Sequence, residues 1–126
     1  MNVQKNIVLC FIVFVCAISL VGCGKKADES KPIDEVKAEA EKMNVEQLRS
    51  MAVKYKDAIL DKKTELNKLT SKLKDIPVTK ILSDEAKTLK DDIASLNKSV
   101  SELNKRFGIY FEKLKEKGGD LSGLEM

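Results

Sequence analysis

The apolar positions after residue 44 follow one rule. Leu48, Ala52, Tyr55, Ile59, Lys62, Leu66, Leu69, Leu73 and Ile76 alternate spacings of four and three, a seam of period 3.5 with Lys, Asp, Glu, Asn and Thr between. Pro77 interrupts the run, and Ser83 followed by Asp84 and Glu85 reads as the cap and acidic first turn of a second helix. The second seam is Ala86, Leu89, Ile93, Leu96, Val100, Leu103, Phe107, Tyr110 and Leu114, ended by Gly118-Gly119. Two amphipathic helices with a short connection are expected to lie antiparallel. Folding near Thr79 stacks Leu73 on Ala86, Leu69 on Leu89, Leu66 on Ile93, Lys62 on Leu96 and Ile59 on Val100. Tyr55 then meets Leu103, Ala52 meets Phe107, and Leu48 meets Tyr110. Lys62 is the polar intruder, expected to pack its stem and turn its ammonium outward. At ~1.5 Å per residue each arm is roughly 45–50 Å long, which makes a rod.

Upstream, Ser30-Lys31-Pro32 with Asp34 and Glu35 reads as another helix start, with a cap, an early proline and first-turn acids. Ile33, Val36, Ala40 and Met43 carry its stripe. The next apolar position arrives one residue late, at Leu48, so the helix breaks near Met43 and Asn44 with Gln47 forms a capping box. The predicted architecture is therefore all-α: a long antiparallel two-helix coiled-coil hairpin over residues 44–118, with a short extra helix over 32–43. The tail, 119–126, is expected to be frayed or folded back on the helix end.

Residues 1–31 follow a different pattern. Lys5 precedes an apolar run from Ile7 to Leu20, about 14 residues, which is shorter than the ~20 needed to span a bilayer. Leu20-Val21-Gly22-Cys23 closes it and resembles the lipobox of bacterial lipoprotein signal peptides. That resemblance implies cleavage after residue 22, a diacylglyceryl group and an N-acyl chain on Cys23, and no other cofactor. It also implies a chain anchored in the bacterial cell membrane and facing outside the cytoplasm. In two-membraned cells an aspartate after the cysteine marks inner-membrane retention; Gly24 departs from that pattern, which favours the outer membrane. The charged stretch to Lys31 reads as a flexible tether over 23–31, with Lys25 and Lys26 near the headgroups. The mature helical part resembles no particular named family. It lacks the C-terminal lysine by which Braun-type lipoprotein joins the cell wall.

Composition narrows the chemistry. The whole chain has 23 Lys+Arg and 20 Asp+Glu; removing residues 1–22 takes away Lys5 alone, leaving 22 against 20. So slight and interspersed an excess does not suggest nucleic acid. Histidine is absent, which removes the commonest general base and metal ligand. Cys10 and Cys16 belong to the leader, so Cys23 has no intramolecular disulfide partner. No phosphate-cradling loop, nucleophile–base set or calcium loop is present. The expectation is a protein that is not an enzyme and holds no metal.

One place reads as unfinished. Phe107, Ile109, Tyr110 and Phe111 present apolar surface around most of their helix, with Gly108 permitting close approach. Either the short helix covers this girdle, or it is an interaction patch for an envelope protein or a second copy. Three functions follow: a structural or protein-interaction lipoprotein of the envelope, a lipid- or small-apolar-ligand-binding accessory using the aromatic end, or an envelope-sensing or exclusion factor.

Overall fold

A computed structural model of the chain describes residues 26–126; the apolar leader and the Leu20–Cys23 motif lie outside the described residues. Within them the chain is helical, without strands. Helix α1 is Ile33–Lys42, α2 is Val45–Asp75 and α3 is Asp84–Glu116, and a single 3-10 turn at Val78–Lys80 lies between the long helices. The two long helices pack against each other, and α1 packs on α3.

Local chemistry explains most of the boundaries. The Asn44 side chain accepts from the Gln47 N–H at 2.9 Å while the Gln47 side chain accepts from the Asn44 N–H at 3.1 Å, the reciprocal capping box. Ser83 Oγ accepts from the Ala86 N–H at the start of α3. Gly118 takes φ +70° just past α3, and the Gly119 N–H closes the end on the Leu114 carbonyl at 2.9 Å. Gly119 is also sterically required: a Cβ there would collide with Leu114 and lie 2.9 Å from Val45. The start of α1 differs from the sequence reading. Pro32 is its N-cap and no side chain caps it; Ser30 instead donates to the Asp28 carboxylate.

Burial is uneven along the two seams. Leu48, Ala52, Tyr55 and Ile59 of α2 are buried, as are Leu103, Phe107, Tyr110 and Leu114 of α3. Val36 and Ala40 of α1 join them in one core, with Leu124 of the tail. From Lys62 to Ile76, and at Leu89 and Ile93, the same seam is only half-buried; Ala86 and Leu96 are the buried exceptions. A two-helix seam has open flanks, and only a third layer closes them. The molecule therefore has a sealed base and a thinner stretch leading to the turn.

Candidate functional site

The base is where elements distant in sequence converge. Tyr55 and Tyr110 lie with ring centroids 5.4 Å apart, tilted by 31°. The heptad ladder gives these residues different partners, Leu103 and Leu48, because it assigns one neighbour per position and ignores where long side chains lean. Burial raises both phenols above their ordinary pKa, and for Tyr110 the Glu39 carboxylate adds to the effect.

The stretch expected to be a free spacer is, from Ala27 to Lys31, fastened to this base. Ala27 packs on the core. The Asp28 N–H donates to Tyr55 Oη at 3.2 Å, and the Tyr55 hydroxyl donates back to the Asp28 carbonyl at 3.0 Å. Ser99 Oγ donates to Glu29 at 3.0 Å. Arg106, only 4% exposed, donates from Nε and Nη2 to the Lys31 carbonyl at 2.9 and 2.5 Å. Its Nη1 donates to the carbonyl and carboxylate of Glu102. Lys31 pairs through its ammonium with Glu39. Composition suggests mobility because all of these residues but Ala27 are polar; the backbone groups of Asp28 and Lys31 find buried partners that no local pattern announces.

The tail is held in the same way. Arg49 donates to the Asp120 and Ser122 carbonyls at 2.6 and 3.0 Å, and Lys56 to those of Gly123 and Glu125 at 2.7 and 2.8 Å. Leu124 is thereby folded back into the core. Lys117 donates to the carbonyls of Glu41 and Met43, just past α1, and Lys113 pairs with Glu41 at 2.6 Å. Both arginines thus serve as clamps on backbone oxygens. The sequence signal was faint: an arginine where lysine dominates, chosen because a planar fork reaches two acceptors at once.

The aromatic girdle is largely covered. Phe107 and Tyr110 are buried, while Ile109 and Phe111 are half-buried against the core, and the rings of Phe107 and Phe111 stand 5.5 Å apart. Nothing approaches Gly108; a Cβ there would meet no atom within 4 Å. Its presence is not explained by close packing within the chain.

Beside Tyr110 lies an open cavity of about 840 Å³, bordered by the fastened segment, Met51, Ala58 and Leu103. Lys31, Glu35, Glu39 and Lys62 also line it, so its walls mix apolar and charged groups. Among the described residues no three His, Cys, Asp or Glu side chains group as a metal site, and no helix is long and apolar enough to cross a membrane. Among them, too, every buried side-chain nitrogen or oxygen has a hydrogen-bond partner. Among the described residues the two most exposed large apolar side chains are at the turn, Val78 at 83% and Leu82 at 79%, and Ile81 is exposed there too. No family model, curated protein or solved structure matches the chain.

Proposed function

We propose that this chain is a bacterial envelope lipoprotein, held to its membrane by lipid on Cys23, whose helical hairpin is a structural or protein-interaction module. The hairpin reading takes the long helices as antiparallel. Two neighbourhoods support it: Lys72 and Asp75 share a shallow concavity with Glu85 and Leu89, while Tyr55 stacks on Tyr110. The observation that carries the interaction reading is the turn. Val78, Ile81 and Leu82 lie exposed together on a surface otherwise dominated by Lys, Asp and Glu. Exposed apolar groups gathered in this way usually mark contact.

The lipid anchor is supported by the Leu20-Val21-Gly22-Cys23 motif after an apolar run too short to span a bilayer. Mass spectrometry of the N-terminal peptide from native membranes tests it. An acylated Cys23 is expected; a retained initiator methionine with partition into the aqueous phase would remove the anchor. A photo-crosslinking residue at Val78 or Leu82 in intact cells tests the module. A discrete adduct is expected there and none from Asp61; equal labelling at both sites would remove the turn as the contact.

The apolar-ligand alternative draws on the cavity beside Tyr110. It is weaker, because Phe107 and Phe111 do not border that cavity and charged side chains are among its lining. An apolar guest would desolvate Glu35 and Lys62 and take water from the Glu39–Lys31 pair.

A further inference from the structure

The fastening of residues 27–31 has a consequence for where the base stands. We infer that the Tyr55–Asp28 and Arg106–Lys31 clamps shorten the lipid tether to a leash that seats the base directly on the headgroup layer of the anchoring membrane. The inference rests on the proposed lipid on Cys23. Only four residue steps separate Cys23 from Ala27, which is already packed on the core. Fully extended, four residues reach no more than ~14 Å. Without the clamps the free chain would run to Ile33, ten steps and up to roughly 35 Å.

The clamps are built to hold. Tyr55 is buried and exchanges two hydrogen bonds with the Asp28 backbone, so Asp28 leaves only by breaking both. Arg106 is buried too, and its fork grips the Lys31 carbonyl from two nitrogens. The leash also keeps Lys26, next to Ala27 in sequence, within reach of the headgroups. Basic groups there draw acidic lipids, by about fivefold in local partition per lysine. The occupant of the surface around Ala27 is thus the membrane itself, and the turn is the part left to reach elsewhere.

The test uses the full chain, produced with its leader in a bacterium and reconstituted into vesicles of phosphatidylcholine and phosphatidylglycerol. A dye is placed on A38C, on the exposed side of α1, and energy transfer to headgroup-labelled lipid is read. Transfer is expected to be high in the parent. A ten-residue Gly/Ser insert between Gly24 and Lys25 lengthens the tether from four steps to fourteen and raises its root-mean-square reach from roughly 11 to roughly 21 Å, so transfer should fall. R106Q should lower it in the same direction if its helical melt is retained; the insert keeps the test decisive if it is not. Low transfer in the parent, or transfer unchanged by the insert, would overturn the leash. The mass of the N-terminal peptide is measured on the same sample. An unacylated Cys23 would remove the anchor and the leash together, whereas an acylated Cys23 with low transfer would remove the leash alone.

Discussion

The base and the stretch from Leu60 to Ser99 share the same long helices and the same heptad rule, yet they are held differently. In the base, α1, the fastened segment and the folded-back tail lie over the seam, and large side chains such as Tyr55, Tyr110 and Leu114 are sealed. In the other stretch Leu66, Leu69, Leu73, Leu89 and Ile93 occupy equivalent seam positions and stay half-buried. Periodicity sets which face meets the partner helix. It does not set how completely that face is closed, which depends on a third layer.

The comparison can be broken most sharply by one substitution made twice. Leu114→Ala removes a fully buried side chain and should cost about 2–5 kcal/mol in urea unfolding. Leu69→Ala, half-exposed beforehand, should cost about 1–2 kcal/mol. Equal losses would mean that the seam contributes uniformly along its length.

Two glycines offer the next contrast. Gly119→Ala drives a methyl into Leu114 and Val45 and should destabilise by about 1–3 kcal/mol. Gly108→Ala fills open space within α3 and should stabilise by about 0.5–1 kcal/mol through backbone entropy and helix propensity. Thermal melts of the two variants should therefore move in opposite directions.

Acidity should also find the base first. Hydrogen bonds from Lys105 and then Arg106 hold the Glu102 carboxyl down to about 2 from an ordinary 4.5. A depressed folded value means that its contribution is complete above pH 4.5 and is lost as pH falls from there towards about 2. Glu102→Gln should flatten that limb. At the alkaline end the signs reverse: Tyr55 and Tyr110 are raised above 10.0, so the unfolded tyrosines ionise first. Stability should fall as pH climbs past 10. Amide exchange across both limbs should show opening around Asp28 and Lys31 at milder pH than within α2 near Leu69.

The smallest effect on folding is expected at the turn. Val78→Ser and Leu82→Ser remove exposed methyl groups and should shift stability by less than about 0.5 kcal/mol while abolishing any crosslinked adduct. A large stability loss there would mean that the turn is packed rather than presented.

Legibility followed the range of the interaction. The capping box at Asn44 and Gln47, the Ser83 cap and the glycine end at Gly118 each depend on residues within a few positions, and all were readable from the sequence. The stripe Val36–Ala40 was readable as a possible cover for the aromatic girdle, and it lies in one core with Phe107 and Tyr110. Unreadable were the contacts closed across the chain: Arg106 on Lys31, 75 positions apart, and Arg49 on Ser122, 73 apart. A carbonyl carries no mark in the sequence to say that a distant guanidinium will find it. Residues 27–31 looked like a spacer for that reason, and Ser30 looked like a cap although its hydroxyl serves Asp28.

The four cations Arg49, Lys56, Arg106 and Lys117 all bind main-chain oxygens. Such oxygens persist whatever side chain is attached. Glu125, which meets Lys56 through its carbonyl alone, can therefore change identity without loosening the wrap. Adding or deleting one residue between Ala27 and Pro32, or after Gly119, would slide every oxygen off its clamp. Natural variation in these two wrappings should therefore be stricter in length than in spelling, with Ala27 and Leu124 held by the core.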